Sequence, residues 1–367
     1  MTAKKAGKVT IAVSEKYKKK TRSIGKVTVR IRTGEATSAE ASASPVPSVS
    51  PSTAPTATVQ PTAAPTATVQ PTAVPSPGMT EEPTQKPASN MKPIAPYVED
   101  KNSDVPEGYA KVDKSVAGTV EDITYGSTVI KEGEVVMRKA KVVLPKDYDE
   151  NKRYPVVYMQ HGIFGNETSL YGDNVQNVFW NAIANGDAEE MIAVFPNACA
   201  NEAGVGEGLN VQHYAAYNNF LNDLNECLMP YINEHYPTLT DREHTAICGF
   251  SMGGRVTLHI GFTLQDKFRY IGAFCPAPGI FSHNDYGANE TGLFTKETFT
   301  LQEQYMNDTL VMIVKGTQDD VVKQFPQDYT DALTENGVPH LFFELPGGHD
   351  GSVYKPGLYN FLRRIFH

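Results

Sequence analysis

The chain has 367 residues, 40% of them hydrophobic, and a formal net charge of −9, so it can bury a substantial core, though not over its whole length. The charge is uneven: residues 1–35 hold 11 Lys and Arg against Glu15 and Glu35, leaving 22 basic and 40 acidic residues in 36–367. An acidic body excludes nucleic acid as the expected partner, and no run reaches the ~18 apolar residues of a membrane span or forms the apolar core of a signal peptide.

Lys8 to Val13 and Lys26 to Arg32 largely alternate polar and apolar positions, which predicts two half-buried strands. Two strands do not make a stable domain. Residues 1–35 therefore read as a basic, β-like fragment of a module that begins upstream, or as a basic leader whose charge is a solvated face. Residues 36–95 form a Pro/Thr/Ala/Ser-rich linker, in which the segment Pro55 to Ala63 recurs at Pro65 to Ala73. Such a tract has little to bury against its ordering entropy and is expected to be a disordered, extended spacer. Linkers of this composition are typical of secreted polysaccharide-degrading enzymes. An extracellular location follows from that comparison, and the missing signal peptide is reconciled with it if further modules lie upstream.

From residue 96 to 367 the pattern is globular. Gly118 to Tyr125 and Arg138 to Leu144 read as antiparallel edge strands, and Tyr154 to Met159 and Met191 to Pro196 as mostly apolar strands. Phe220 to Tyr236 has helical spacing. Further strands are expected at Thr245 to Cys248, Tyr270 to Phe274, Leu310 to Val314 and His340 to Leu345. Strands without polar alternation, interleaved with helices, predict a mostly parallel sheet covered on both faces. Ligands on such sheets bind beyond the carboxyl ends of the strands. The four cysteines, Cys199, Cys227, Cys248 and Cys275, lack C-x-x-C spacing, so no metal site is expected, and Cys248 and Cys275 read as buried thiols.

Gly249-Phe250-Ser251-Met252-Gly253 stands between the strand ending at Cys248 and a helical run from Arg255. A Gly-x-Ser-x-Gly in that setting is a nucleophile elbow, a tight turn that lifts the serine hydroxyl clear of the sheet. Ser251 then needs a base, itself oriented by a carboxylate, in the chain order Ser, acid, His. Among the later histidines, His259 lies in the elbow helix, His283 precedes the acids, His340 opens a strand and His367 is terminal. His349 follows the flexible Pro346-Gly347-Gly348 and is the candidate base. Asp319 and Asp320 both lie just past the strand ending at Val314, and spacing leaves the choice between them open. Asp350 is too close in sequence to His349 to reach the far side of its ring. The second oxyanion donor, beside Met252 N–H, is expected in the loop His161-Gly162-Ile163-Phe164-Gly165.

With these residues assembled, the chain from about 118 to 365 resembles carbohydrate esterase family 1, whose members include bacterial feruloyl esterases, with esterase D and the mycolyltransferases more distant. The resemblance rests on Leu144-Pro145, Tyr154-Pro155-Val156-Val157-Tyr158 into His161-Gly162, Asp241-Arg242-Glu243-His244 before the elbow, Gly316-Thr317-Gln318-Asp319, and Gly347-Gly348-His349-Asp350. It implies an α/β-hydrolase fold, Ser251 as nucleophile, His349 as base, Asp319 as acid, and Ile163 and Met252 as oxyanion donors, with no cofactor. It implies a secreted serine esterase that releases ferulate from plant cell-wall xylan, so the partner is a feruloylated or acetylated polysaccharide. Acetylxylan esterase is the alternative, and an acyltransferase or a non-catalytic carbohydrate-binding module are further ones. Two departures stand out. Bulky Ile163 and Phe164 replace a stretch often glycine-rich in relatives, which narrows the acyl or alcohol pocket. Tyr354 stands where relatives commonly carry Trp, which leaves the substrate platform open.

Overall fold

A computed structural model of the chain describes residues 7–17, 20–31, 101–201, 211–285 and 288–367; the linker at 36–95 lies outside them. The chain falls into two units, Met1–Glu81 and Glu82–His367. In the first, β1 (Gly7–Tyr17) pairs antiparallel with β2 (Lys20–Ile31), with a register shift at Val13/Ser14. The period-2 pattern of Lys8 to Val13 falls within β1 and that of Lys26 to Ile31 within β2, while Arg32 lies outside the described residues.

In the second unit, β3 (Thr119–Ser127) and β4 (Val136–Leu144) form an antiparallel pair. Next come β5 (Val156–Gln160), α1 (Ser169–Gly172), α2 (Gln176–Ala184) and β6 (Ile192–Pro196). A long helical stretch follows: α3 (Val211–Asp223), a π-helical turn at Leu224–Leu228, and α4 (Met229–His235). The expected helix of 220–236 is the later part of this stretch, and the π turn interrupts its period. The rest of the chain runs through β7 (Thr245–Phe250), α5 (Met252–Thr263), β8 (Tyr270–Phe274), β9 (Phe281–Asp285) and β10 (Ala288–Gly292). It closes with β11 (Leu310–Gly316), α6 (Phe325–Glu335), β12 (Leu341–Leu345) and α7 (Gly351–Leu362).

Eight strands form one sheet in the order β12-β11-β8-β7-β5-β6-β4-β3. The pairs from β12 to β6 are parallel, and β6–β4 and β4–β3 are antiparallel. Every residue of β5, β6 and β8 is buried, as a parallel sheet covered on both faces requires. Successive residues serve opposite faces. Val156 and Tyr158 join the core under α3, α4, α5 and α6, whereas Val157 and Met159 join the core under α2 and α7. Layering of this kind, helix on sheet on helix, around a mostly parallel eight-stranded sheet is the α/β-hydrolase arrangement. The β9–β10 hairpin is a separate antiparallel ribbon outside the main sheet; it contains His283, which reads as a loop residue in the sequence. All four cysteines are free and buried. Among the described residues no helix is long and apolar enough to cross a membrane.

Candidate active site

The elbow is built by close backbone approach. A Cβ on Gly249 would lie 2.5 Å from the Gly253 carbonyl oxygen, and one on Gly253 would lie 2.3 Å from the Gln160 carbonyl oxygen. Only glycine fits where β5, β7 and α5 converge this tightly. Ser251 between them takes φ 58°, ψ −119°, a strained conformation for an L-residue. The surrounding backbone holds it there: Ser251 N–H donates to the Phe274 carbonyl at 2.9 Å, and its own carbonyl accepts from Ala277 N–H at 3.0 Å. The strain aims the hydroxyl out past the carboxyl ends of β7 and β8.

His349 reaches that hydroxyl from the loop between β12 and α7. Its Nε2 lies 2.8 Å from Ser251 Oγ, and its Nδ1 lies 2.8 Å from Asp319 Oδ2. Asp319 sits just past β11, and its other oxygen accepts the N–H groups of Val321 at 3.0 Å and Val322 at 3.1 Å. Asp320 is exposed. The geometry thus separates the two acids that spacing leaves equivalent. Asp350 is the N-cap of α7, its side chain accepting from Ser352 N–H at 2.8 Å. Burial pushes the Asp319 carboxyl up, but the His349 hydrogen bond, the Val322 N–H, the imidazole's charge and the Cys275 thiol together outweigh it and hold the group below its ordinary value. Asp319 is therefore a carboxylate near neutrality, able to fix the imidazole with Nδ1–H toward itself and Nε2 free to take a proton from serine. Burial, then the Asp319 charge, push the Cys275 thiol up, so it is a neutral donor. Cys275, Asp319 and His349 have ligand-type atoms within 4.8 Å of one another, a closeness that their hydrogen bonds account for.

The imidazole leans on an aromatic column. Phe250 lies 4.7 Å from the His349 ring centroid and 4.5 Å from that of Tyr354. Tyr354 is 2% exposed, with its hydroxyl donating to Asp173 Oδ2 at 2.7 Å. It supports the Phe250–His349 stack from behind and is too buried to offer a surface to a substrate.

Ile163 and Met252 line one small, mostly apolar cavity with Ser251, together with Tyr214, Pro278 and Val322. Its volume is about 60 Å³. A Cβ on Gly162 would be 3.5 Å from Ser251 Cβ, so the loop that carries Ile163 runs directly beside the hydroxyl. Sequence reading misses what holds that loop. His161 is fully buried; its Nδ1–H donates to the Gly162 carbonyl at 2.7 Å, and its Nε2 accepts Ala198 N–H at 3.0 Å. Burial pushes its pKa down to about 4, so the ring is neutral and can accept. Segment 197–199 is anchored in turn by Arg138, which donates to the carbonyls of Asn197 and Cys199 and pairs with buried Asp223 at 2.9 Å. Tyr125 OH donates to the same carboxylate at 2.6 Å. His259, His283, His340 and His367 bond or pack elsewhere.

Such a line of hydroxyl, imidazole and carboxylate suits acyl transfer. The "Putative esterase" family model matches residues 136–362, more than half of the chain. A ferulic acid esterase of carbohydrate esterase family 1 from Anaeromyces mucronatus, solved with ferulic acid, is 40% identical, with TM-score 0.67, covering 73% of this chain and 98% of that one. The feruloyl esterase module from Clostridium thermocellum, complexed with sinapinate, shares the fold at 20% identity and TM-score 0.56, over 72% of this chain and 93% of that one. Endo-1,4-beta-xylanase Y of Acetivibrio thermocellus is 26% identical over 63% of this chain and 22% of its own length. An endo-1,4-beta-xylanase/feruloyl esterase of Xylanibacter ruminicola is 30% identical over 42% of this chain and 21% of its own. The chain spans about a fifth of the length of these curated relatives. On the family match and the 40% identical esterase, the chain belongs to carbohydrate esterase family 1 and is a serine carboxylic-ester hydrolase.

Proposed function

We propose that the protein hydrolyses ferulate-type esters on plant cell-wall xylan through an acyl-enzyme on Ser251. The observation that carries this reading is the hydrogen-bonded line Ser251–His349–Asp319 at the mouth of an apolar cavity. Identity to an esterase solved with ferulic acid supports the choice of acyl group. In the first half-reaction Ser251 Oγ attacks the ester carbonyl as His349 Nε2 takes its proton. Asp319 steadies the imidazolium, and the backbone N–H groups of Ile163 and Met252 hold the oxyanion. The tetrahedral intermediate collapses, the C–O bond to the sugar breaks, and His349 returns the proton to the leaving alcohol. Water then attacks the acyl-enzyme with His349 again as base, which releases the free acid and restores Ser251.

Residues 36–95 are read as a spacer tethering this esterase to further modules, residues 1–35 as part of such a module or as a leader, and the protein as extracellular. The xylanase relatives, in which the matching region is a small part of the length, support that organisation. The small cavity favours a second reading, removal of acetyl groups, since ~300–1,000 Å³ is usual for larger ligands. Rates on methyl ferulate and on an acetyl ester separate the two. Faster turnover of the acetyl ester would sink the feruloyl assignment. A serine-reactive phosphonate is expected to label Ser251 and to leave the Ser251→Ala variant unlabelled.

A further inference from the structure

Phe164 combines two features that a turn residue without a task avoids. It takes φ 62°, the left-handed region where a side chain is strained and glycine is not. It is also 59% exposed, and no other phenylalanine among the described residues is exposed. The turn is closed by Gly165 N–H donating to the Gly162 carbonyl at 3.2 Å, and a Cβ at Gly165 would come within 2.6 Å of the His161 ring. The chain is thereby pinned on both sides of Phe164, and the side chain projects outward.

Its position follows from its neighbours. Ile163 and Tyr214 are walls of the cavity beside Ser251. Phe164 and His213, each one residue away from those walls, meet edge to face with centroids 5.5 Å apart at 85°. The aromatic pair therefore stands one residue along the chain from two of the cavity's walls, with the exposed Phe164 ring on its solvent side. The cavity is open on one side and holds about 60 Å³, less than a whole feruloyl group needs, so an acyl group whose carbonyl meets Ser251 must carry its aryl ring past the rim.

We infer that Phe164, backed by His213, is a specificity-determining residue that packs against the aromatic ring of the acyl group where it leaves the cavity. The inference rests on the hydrolase reading above and deepens it. A planar ring at this place gains apolar burial and ring–ring contact, while an acetyl group does not reach it. Retaining a strained phenylalanine in place of glycine is then explained by selectivity.

The test uses the full chain and two esters with the same leaving group, p-nitrophenyl ferulate and p-nitrophenyl acetate. Phe164→Gly removes the ring and relaxes the backbone, so the fold is retained. The ratio of kcat/KM for feruloyl over acetyl is expected to fall about tenfold, carried by a higher KM for the feruloyl ester, and Phe164→Trp is expected to restore it. An unchanged ratio, whether both rates hold or both fall together, would overturn the inference, as would failure of the tryptophan variant to recover selectivity. A wild-type protein that favours the acetyl ester would instead overturn the feruloyl reading itself, so the two failures are distinguishable.

Discussion

Replacing His161 by glutamine should remove one proton's worth of pH dependence from the stability of the domain. In the folded protein the ring is fully buried, donates to the Gly162 carbonyl and accepts Ala198 N–H. A second proton on Nε2 would set two donors face to face. Burial accordingly holds the folded pKa at about 4, against the ordinary value of 6.5 that the unfolded chain regains. Because the folded value is the lower, the unfolded state binds more protons below pH 6.5. The stabilisation is complete above that pH and is lost as pH falls toward 4. At pH 5 the loss is about 2 kcal/mol, and at pH 4 and below it approaches ~3 kcal/mol. Urea unfolding at pH 7.5 and pH 5 measures it, with the fluorescence of Trp180, the sole tryptophan, as signal; its indole N–H donates to the Leu144 carbonyl at 3.0 Å. His161→Gln can keep one donor and one acceptor but does not titrate, so its stability should drop by about 2 kcal/mol less between the two pH values than that of the wild type. His259, whose pKa burial also pushes down to about 4, contributes equally to both proteins and cancels. A glutamine variant with the full wild-type pH dependence would refute the assignment of that proton to His161.

Three further outcomes follow from the contacts described above. Asp319→Asn should lower kcat by ~10⁴ with little change in KM, because an amide at this place favours the wrong imidazole tautomer; steady-state kinetics on methyl ferulate would show it, and a variant within tenfold of wild type would contradict the role. Asp223→Asn should cost ~3–5 kcal/mol by leaving buried Arg138 without its counter-charge, read as a lower urea midpoint. Tyr125→Phe, which removes the bond to the same carboxylate and a longer one accepted from Arg138 Nε at 3.3 Å but leaves the ion pair in place, should cost less, about 1–2 kcal/mol.

Much of the sheet was legible in the chain because a strand buried on both faces is written as an uninterrupted apolar run. Ile192–Pro196 and Tyr270–Phe274 needed no tertiary information to be seen. The elbow was legible for a different reason: its glycines answer a clash that any side chain would create. Asp319 and Asp320 could not be separated by spacing, because the choice depends on which carboxylate turns inward to meet the N–H groups of Val321 and Val322. The β9–β10 ribbon, Phe281–Asp285 with Ala288–Gly292, was missed because it carries mixed polar residues without a clean alternation. The support under the oxyanion loop was also hidden. It joins Tyr125, Arg138, His161, Ala198 and Asp223 across up to 98 residues of chain, and no local pattern announces a contact of that range.

Reactivity rests on backbone groups in this fold and selectivity on side chains, even where one segment supplies both. The elbow tolerates no added atom at Gly249 or Gly253, so the nucleophile's surroundings are nearly frozen against mutational drift. The cavity's other walls, Ala277, Pro278, Val321 and Val322, come from the segments that follow β8 and β11, and Val321 is 50% exposed. Substitutions there can reshape the acyl site without moving the hydroxyl or its base. A lineage built on this scaffold can therefore exchange one ester for another through single changes at the rim, while the machinery that breaks the bond is inherited intact.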